Sequence, residues 1–326
     1  ISLDEKIVLA FHQVTIPEAN QKMGELLEPS KGVNVIVPTW FTLSDNEGSY
    51  ESLASRSYVE EAHERGLQVW AMVDNFSKEC SRNVQSEILL SKTSTRRKLI
   101  ESLMDEAKTY GFDGFNLDFA PVADVNTNPD NPVIGTRAFS SEPQTAADLV
   151  GGACAGFADA GIACTLKHFP GHGDTSEDTH VGTVTLNKTL DDLRSCELVP
   201  FAQNVNNAPL IMAAHITVPQ VTGDDTPASL SSVMLTDLLR GELGYQGLIV
   251  TDSLAMQAIT DVYTPGQAAV KALQAGADLL LMPNGLADAY TAVLEAVQDG
   301  TIPQQRLDES VQRILQCKYQ YGILTQ

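Results

Sequence analysis

The sequence predicts an α/β fold, a single (βα)8 TIM barrel built from all 326 residues. Eight short apolar runs alternate with segments of helical periodicity, a pattern typical of parallel strands that helices cover on both faces. The chain also has the length of one such barrel. An open, doubly wound sheet alternates in the same way, but it usually has fewer strands and an early glycine-rich phosphate turn, which this sequence lacks.

The first four strands and their helices follow from β-branched runs that glycine and proline residues interrupt. The predicted strands are residues 6–13, 33–40, 67–74 and 112–119, and the predicted helices are residues 17–27, 57–65 and 94–110. The last of these helices is amphipathic, because Leu99, Leu103 and Ala107 recur at every fourth position. Gly66 and Gly111 follow the second and third helices and are predicted to end them.

The second half of the chain repeats the alternation of strands and helices. Its predicted strands are residues 162–166, 210–214, 248–251 and 277–282, and its predicted helices are residues 143–160, 190–207, 232–243, 264–275, 286–298 and 303–319. Because no linker separates this half from the first, we expect one shared core and not two domains.

Composition limits the classes of partner. The formal net charge of −21 and the pI near 4.5 argue against nucleic acid or an anionic membrane surface. No apolar run is long enough to span a bilayer and no leader opens the chain, so we expect a soluble protein. The spacing of Cys80, Cys154, Cys164, Cys196 and Cys317 predicts neither a metal site nor a disulfide framework. The sequence implies no cofactor and no protein partner.

Titratable residues are concentrated between Lys167 and His180, directly after the predicted fifth strand. This stretch holds three histidines, three acids and a lysine within fourteen residues. In barrels of this kind the carboxyl ends of the strands carry the chemistry, so the stretch is a candidate active-site loop, which His172 and Asp174 are expected to shape. On spacing alone, a polar loop whose histidines cap neighbouring helices is an equal alternative.

The stretch reads KHFPGHGDTSEDTH and resembles the signature of glycoside hydrolase family 3, in its bacterial β-N-acetylglucosaminidase branch. The resemblance runs from about residue 116 to the C-terminus, through LDFAPVADVN at 117–126, NPVIGTR at 131–137 and IVTDSLAM at 249–256. It implies retaining cleavage of terminal β-linked N-acetylglucosamine, in cell-wall fragments, through a covalent glycosyl-aspartate and without a cofactor. A histidine acid/base repels phosphate less than a carboxylate would, so phosphorolysis is a minor alternative.

Retention requires a nucleophilic carboxylate and a group that protonates the leaving oxygen. By the resemblance, Asp252 at the end of the seventh strand is the nucleophile, and a helix cap for the segment that begins at Ser253 is the alternative. His180 would be the acid/base, and Asp178 would fix its tautomer and stabilise its cation. Because the loop itself carries the acid/base, the barrel is expected to need no second domain.

The resemblance also implies sugar-binding residues. Lys167, His168 and Arg137 would hydrogen-bond the sugar hydroxyls. His215, at the end of the sixth strand, is a candidate contact to the substrate or to the residues that bind it. Asp74 ends the third strand, where the family places a sugar-binding aspartate, but the Gly-Gly-Arg segment that normally follows is missing. The loss of one such charge-assisted contact costs about 2–3 kcal/mol.

Residues 1–118 resemble a different family, the chitinase-like glycoside hydrolase family 18, through the motif FDGFNLDFA at 112–120. That family ends its fourth strand with a glutamate that acts as general acid. Ala120 occupies the position of that glutamate, so chitinase activity is not expected, and Asp113 and Asp118 are predicted to be inert polar groups bonded to their neighbours. The sequence is therefore interpreted as a chimera of a family 18 half (residues 1–118) and a family 3 half (residues 119–326). A cytoplasmic location is expected over secretion.

Two functions of other classes stay open. The chain could be a catalytically inactive barrel, natural or engineered, in which two half-barrels fold together. It could also be a chitin- or peptidoglycan-binding module in which Trp40, Phe41 and Trp70 stack on sugar rings, although aromatic side chains in barrels more often belong to the core.

Overall fold

The structure is a computed structural model that describes residues 9–28, 33–74, 89, 92–118, 121–159 and 161–322. The chain divides into two compact units, one of residues 5–120 and one of residues 121–326 together with the first four residues. The division lies close to the boundary predicted between the half-barrels, after residue 118. Buried apolar side chains form a cluster in each unit, and the single shared core stays a prediction.

The first unit contains strands β1 (Leu9–His12), β2 (Val35–Leu43), β3 (Tyr50–Ser52), β4 (Gln68–Asp74) and β5 (Gly114–Asp118). Its helices are a 3-10 turn at Pro17–Lys22, α1 (Met23–Leu27), α2 (Arg56–Glu64) and α3 (Thr93–Tyr110). The strands β1, β2, β4 and β5 pair in parallel in that order, and the short β3 pairs antiparallel with β2. The parallel register places Asp74 beside Asp118, at the carboxyl ends of neighbouring strands.

Local signals explain where two of these helices begin and end. Ser55 caps α2, because its hydroxyl accepts a hydrogen bond from the backbone N–H of Tyr58. Helix α3 ends at Gly111, whose φ of 82° lies in the left-handed region and whose N–H donates to the carbonyl of Ala107. The amphipathic pattern predicted for α3 is confirmed, since Leu99 and Leu103 are both buried.

Trp40 and Phe41 belong to the core of the first unit, where they are 1% and 0% exposed. The Nε1 of Trp40 donates to Asn20 Oδ1 over 2.8 Å, so the polar atom of the ring is satisfied inside the core. These two rings are therefore unable to stack on a sugar in the folded unit. Trp70 is half-buried, and its Nε1 donates to Gln68 Oε1 over 3.1 Å.

Asp113 is a structural carboxylate of the same unit. Its Oδ2 accepts a hydrogen bond from the backbone N–H of Val69 over 2.8 Å and lies 2.9 Å from His63 Nε2. These contacts agree with the prediction that Asp113 is an inert polar group bonded to its neighbours. Ala120, on which the absence of a chitinase acid depends, lies outside the described residues.

The second unit contains β6 (Thr165–Phe169), β7 (Val184–Thr185), β8 (Leu210–Ala213), β9 (Ile216–Thr217) and β10 (Leu248–Thr251). Strands β6, β8 and β10 form a parallel sheet with β8 in the centre, and β7 pairs in parallel with β9. Single parallel bridges extend the sheet at both edges, from Lys167 to Val122 and from Val250 to Leu279. This pairing is that of an α/β fold.

The helices of this unit are α4 (Pro143–Asp159), α5 (Leu190–Ser195), α6 (Val199–Asn204), α7 (Pro219–Thr222), α8 (Val233–Glu242, a π-helix), α9 (Gln257–Thr260), α10 (Pro265–Ala275), α11 (Leu286–Gln298) and α12 (Gln304–Gln320), with 3-10 turns at Gly135–Arg137 and Ala228–Leu230. Thr189 and Thr264 begin α5 and α10 with capping boxes. In the part of the chain that the structure describes, no helix is both long enough and apolar enough to span a bilayer.

The fifth strand predicted from the sequence, residues 162–166, begins three residues too early. The apolar run is misleading there, because Ile162 is 47% exposed and precedes the strand. Strand β6 instead runs through Lys167 and His168, and its pairing with β8 shifts register in this part. The two polar residues therefore belong to the strand, where the sheet holds their backbone.

Two other predicted elements of the second unit need correction. The helix predicted at residues 190–207 is interrupted at Cys196, and Pro200, which has no N–H, lies in the first turn of the second piece, α6. The eighth strand predicted at residues 277–282 is reduced to the bridge at Leu279. Pro200 is a local signal for the interruption, whereas the loss of the strand depends on how the backbone pairs with distant residues and is not visible in sequence periodicity.

A buried carboxylate, Asp278, joins β10 to helices α8 and α12. It accepts hydrogen bonds from the backbone N–H of Ile249 over 2.9 Å and from the side chains of Arg240 (2.6 Å), Arg313 (3.1 Å) and Ser310 (2.6 Å). The side chain of Asp278 is fully buried, so its negative charge is the main compensation for these guanidinium groups.

We expect Asp278→Asn to lower the free energy of unfolding by about 3–5 kcal/mol, because the substitution leaves buried guanidinium charges without their counter-ion. Urea denaturation followed by circular dichroism measures the change. Asp308→Asn, at an exposed aspartate of α12, is the control and should change stability by less than about 0.5 kcal/mol. A loss that matches the control would show that other partners hold the arginines.

Candidate active site

Lys167 and His168 lie in the last part of β6 and are nearly buried, with exposed fractions of 4% and 6%. The carbonyl of Lys167 accepts a hydrogen bond from the N–H of Ala123, in the segment that follows β5. The ring of His168 lies edge-on to the ring of His172, with centroids 6.3 Å apart. The sheet and these contacts leave both residues little conformational freedom, as a site of fixed geometry requires.

Asp124 was not predicted as a site residue, yet its carboxylate holds this region together. It is fully buried; its Oδ2 lies 2.7 Å from His168 Nδ1, and its Oδ1 accepts from the backbone N–H groups of His168 (3.2 Å) and His172 (2.7 Å). Burial raises the pKa of Asp124, but the charge and hydrogen bond of His168, together with the N–H of His172, outweigh burial and hold that pKa below its ordinary value. The carboxylate is therefore ionised and accepts every hydrogen bond.

The loop between β6 and β7 folds back onto the segment that follows β5. Asn131 fastens the two, because its Nδ2 donates to the carbonyl oxygens of His172 (2.8 Å) and Thr175 (3.0 Å). At Gly173 the backbones approach so closely that a Cβ would lie 2.0 Å from the carbonyl oxygen of Val125, and only glycine fits. The path of the loop is thus set by direct contacts.

Lys188 ties the same loop to the start of α6. Its Nζ lies 2.9 Å from Asp174 Oδ2 and donates a hydrogen bond to the fully buried Glu197. Burial lowers the pKa of Lys188, but the hydrogen bonds and charges of the two carboxylates outweigh burial and raise it. Asp174 Oδ1 also accepts from Thr127 Oγ1 over 2.8 Å, so Asp174 helps to shape the loop, as predicted.

The predicted acid/base pair lies at the exposed end of this loop. Asp178 Oδ1 accepts from the backbone N–H of His180 over 2.8 Å and lies 2.6 Å from His180 Nδ1. Since an ionised carboxylate only accepts, Nδ1 carries the proton of this bond. The hydrogen bond to Asp178 is the largest cause of a raised pKa at His180, against the lowering effect of burial. Burial raises the pKa of Asp178, and its bonds with His180 outweigh burial and lower it.

Asp252 follows β10, and its backbone N–H donates to the carbonyl of Ala213 over 2.9 Å. Its Oδ1 accepts from the N–H of Ser253 over 2.7 Å. Burial raises the pKa of Asp252, but the charges of His168 and His215 and the Ser253 N–H outweigh burial and lower it. The side chain is therefore an ionised carboxylate. The alternative of a helix cap is wrong, because the next helix, α9, has Met256 at its N-cap.

Asp252 and the Asp178–His180 pair interact electrostatically. Beyond the larger causes named above, the charge of Asp252 raises the pKa of His180, and the charge of His180 lowers the pKa of Asp252. The charge of Arg137 in turn lowers the pKa of His180. These residues belong to one unit and lie close enough to affect one another, which a shared substrate would require.

His215 is fully buried and supports the segment that carries Asp252. Its Nε2 lies 2.8 Å from the carbonyl oxygen of Ser253, which only accepts, so Nε2 carries the proton and Nδ1 accepts from the hydroxyl of Ser229 over 2.7 Å. Burial is the largest cause that lowers the pKa of His215, and the charge of Asp252 opposes it. The assignment of His215 as a contact to the substrate or to the residues that bind it stays a prediction.

Arg137 and Asp74 lie in different units. Arg137 ends the 3-10 turn Gly135–Arg137, is 4% exposed, and donates from Nη1 to the carbonyl of Val133 over 3.3 Å. Asp74 ends β4 and accepts from the hydroxyl of Thr42 over 3.1 Å. The assignment of both as sugar-binding residues rests on the family resemblance and stays a prediction.

Two thiols that are ten positions apart in the sequence are neighbours in the fold. The sulfur atoms of Cys154 and Cys164 lie 3.7 Å apart, and both side chains are buried free thiols. Their spacing in the sequence did not indicate this contact. Within the described ranges, no group of three or more histidine, cysteine or acidic residues is arranged to hold a metal ion.

The second unit has an ionised aspartate directly after β10 and a carboxylate–histidine pair in the loop that follows β6, and hydrolases that use covalent catalysis need groups of these kinds. A family model described as the glycosyl hydrolase family 3 N terminal domain matches residues 71–317. The chain therefore belongs to glycosyl hydrolase family 3. The predicted resemblance to that family is confirmed, and so is the α/β fold class of the TIM-barrel type.

Curated relatives share part of their length with this chain. Beta-hexosaminidase LpqI from Mycobacterium tuberculosis is 39% identical over 240 residues, which are 70% of this chain and 61% of that protein. Beta-hexosaminidase A from Pseudoalteromonas piscicida is 38% identical over 226 residues, which are 63% of this chain and 38% of that protein. The chain thus spans less than two thirds of the length of these relatives.

Solved structures match nearly the whole chain. The glycoside hydrolase family 3 beta-N-acetylglucosaminidase from Paenibacillus sp. str. FPU-7 is 30% identical with a TM-score of 0.71, and the match covers 97% of this chain and 61% of that one. LpqI from M. tuberculosis is 31% identical with a TM-score of 0.67, and the match covers 96% of this chain and 91% of that one. The family 3 model begins to match at residue 71, inside the half assigned to family 18, so these comparisons give no support to a chimera.

Proposed function

We propose that this chain is a retaining glycoside hydrolase that removes terminal β-linked N-acetylglucosamine through a covalent intermediate on Asp252. The observation that carries the proposal is the 2.6 Å contact between His180 Nδ1 and Asp178 Oδ1, in the same unit as Asp252, whose charge raises the pKa of His180 after the larger effect of Asp178. The names of the relatives, beta-hexosaminidase and beta-N-acetylglucosaminidase, support the choice of sugar.

In the first step, an oxygen of Asp252 attacks the anomeric carbon while His180 Nε2 protonates the leaving oxygen. The bond between the anomeric carbon and that oxygen breaks, and Asp252 becomes the ester of the sugar. In the second step, His180, now neutral, takes a proton from water, and the water oxygen displaces Asp252. Two inversions at one carbon give net retention, and neither step requires a cofactor.

The directions of the pKa shifts suit these roles. The lowered pKa of Asp252 keeps the nucleophile ionised, although burial alone would raise it. The raised pKa of His180, caused chiefly by its bond to Asp178, keeps a larger fraction of the ring protonated near neutral pH than a free imidazole would have. Asp178 also stabilises the imidazolium, because the carboxylate lies 2.6 Å from Nδ1.

Sugar hydroxyls would be bound by Lys167 and His168 of β6 and by Arg137, which all belong to the second unit. The near burial of Lys167 and His168 supports this assignment, because fixed donors recognise a small sugar with little loss of side-chain entropy. Cell-wall fragments that end in N-acetylglucosamine are the proposed natural substrates.

Hydrolysis of 4-nitrophenyl N-acetyl-β-D-glucosaminide tests the proposal, with the matching β-glucoside as the comparison. We expect faster release of nitrophenol from the N-acetylglucosaminide, and proton NMR should show the β-anomer of the sugar as the first product. The α-anomer as first product would contradict the double displacement, and an absence of turnover would favour a catalytically inactive barrel.

The other hypotheses have weaker support. A binding module would bind chitin fragments without cleaving them, but the burial of Trp40 and Phe41 removes two of the three rings that it would use. The family 18 origin of residues 1–118 rests only on the motif at 112–120. A cytoplasmic location is likewise a prediction from resemblance alone.

A further inference from the structure

We propose that Asp124 is a positioning residue that sets the ring tautomer of His168 and anchors the loop that carries the acid/base. This inference rests on the proposed function, because His168 is there a sugar-binding residue. Asp124 would touch neither the sugar nor the reacting atoms. Its effect would pass through the two segments that its carboxylate joins.

Both carboxylate oxygens of Asp124 form hydrogen bonds with residues of β6 and of the loop that follows it. One oxygen faces His168 Nδ1 at 2.7 Å, and the other accepts the N–H groups of His168 and His172 at 3.2 and 2.7 Å. The side chain has no exposed surface, so water does not compete for these bonds. An ionised carboxylate that accepts hydrogen bonds from three fixed donors holds the residues around it in place.

The contact with Nδ1 decides which nitrogen of His168 faces the active site. Because the carboxylate only accepts, Nδ1 must carry a proton, and Nε2 is the ring atom left for the substrate. The ring stands at the same end of the sheet as the proposed nucleophile, because the next residue, Phe169, and the residue before Asp252, Thr251, both pair with Ala213 of β8. Asp124 would thus select the tautomer of a ring that lies beside the reaction centre.

The contact with the N–H of His172 reaches the acid/base loop. Nδ1 of His172 lies 2.6 Å from Thr175 Oγ1, and Nε2 of the same ring lies 3.2 Å from Thr179 Oγ1. Thr179 is the residue between Asp178 and His180, and its carbonyl accepts from the N–H of Ala258 over 3.3 Å. A short chain of hydrogen bonds therefore connects Asp124 to the backbone of the acid/base pair.

Asp124→Asn separates these two effects. The amide oxygen of asparagine still accepts the two backbone N–H groups, so the anchor of the loop is kept. The amide nitrogen, however, is a donor and would face the proton on His168 Nδ1. The ring can avoid this clash of donors only by moving its proton to Nε2, which changes what His168 offers to a sugar.

The experiment compares the wild-type chain with Asp124→Asn and with a matched control, Asp113→Asn. Asp113 also accepts a backbone N–H and lies beside a histidine ring, but it belongs to the other unit. Nitrogen-15 NMR of the ring nitrogens reports the tautomer, and with six histidines in the chain, His168→Gln identifies the signal of His168. Kinetics with the chromogenic N-acetylglucosaminide and melting temperatures complete the comparison.

We expect His168 to carry its proton on Nδ1 in the wild type and on Nε2 in Asp124→Asn. The kcat/KM of Asp124→Asn should fall at least about tenfold, mainly through KM, because Nε2 of His168 would then be a donor and the hydrogen bond that it accepts from a sugar hydroxyl would be lost. Asp113→Asn should keep both the tautomer and the kinetics of the wild type.

A wild-type His168 with its proton on Nε2 would overturn the proposal even if Asp124→Asn failed to fold. An unchanged tautomer, or kinetics equal to those of the Asp113→Asn control, would also overturn it. Failure of the proposed function looks different: the wild type would cleave no N-acetylglucosaminide, while the NMR comparison would still report what Asp124 does to His168.

Discussion

Replacing Asp252 with asparagine is expected to reduce kcat/KM for the chromogenic N-acetylglucosaminide by on the order of 10⁴ or more, as the loss of a nucleophile does in other hydrolases. Asparagine has the shape of aspartate and still accepts the N–H of Ser253, so the segment after β10 should keep its conformation. What is lost is the charge that attacks the anomeric carbon. Steady-state kinetics at saturating and at low substrate concentration measure the effect.

The control for this substitution is Asp299→Asn. Asp299 is an exposed aspartate of the same unit that also accepts a nearby backbone N–H, that of Thr301 over 2.8 Å. It should retain the wild-type rate. If Asp252→Asn kept more than about a tenth of the wild-type kcat/KM, a loss far below that expected for a nucleophile, Asp252 would not be the nucleophile.

Asp178→Asn is expected to move the alkaline limb of the pH profile to lower pH and to reduce kcat by about 10²–10⁴. The proton donor must be protonated, so activity is lost as pH rises through the pKa of His180. The bond to Asp178 is the largest cause that raises this pKa, and its charge raises it further. A neutral amide removes the charge and cannot hold the imidazolium as well, so the pKa of His180 falls.

The acid limb of the same profile is an internal control. It reflects protonation of Asp252, whose pKa is lowered by His168, His215 and the Ser253 N–H against the effect of burial. Asp178 is not among these causes, so the acid limb should stay nearly in place. An alkaline limb that moves upward, or that does not move, would show that the Asp178–His180 bond does not control the proton donor.

Short sequence patterns were sufficient to predict an element where they also mark its ends. The helix predicted at 94–110 is α3, Thr93–Tyr110, because the stripe of Leu99 and Leu103 and the left-handed Gly111 lie within the helix or directly after it. The start of β6 was misplaced because Ile162 is apolar but exposed. Apolar character alone does not show which residues pair with β8, and this depends on tertiary packing.

In the candidate site, too, contacts between sequence neighbours could be predicted and contacts between distant residues could not. Asp178 and His180 bond to each other across two positions, so a short motif contains the complete pair. Asp124 was missed because its partners, His168 and His172, follow it by 44 and 48 positions and only the fold brings them together. A lone aspartate in an otherwise apolar stretch, with no neighbour to pair with, was the available signal.

The assignment of residues 1–118 to family 18 depended on one motif. The segment at 112–120 resembles family 18, but Asp113 is engaged by Val69 and His63 of its own unit, as a structural residue would be. The family 3 match already includes the end of β4 and all of β5. A short strand motif with a polar end is compatible with more than one barrel family, because each needs similar residues where a strand meets its rim.

Identification of the residue that carries the sugar is the decisive test of Asp252 as the nucleophile. Wild-type protein is mixed with an N-acetylglucosaminide that has a fast leaving group, denatured in acid within milliseconds, digested and analysed by mass spectrometry. We expect one N-acetylglucosaminyl group on the wild-type peptide that contains Asp252, and no such group on the corresponding peptide of Asp252→Asn. A sugar attached to any other residue, or rapid turnover with the Asp252 peptide unmodified, would contradict this assignment.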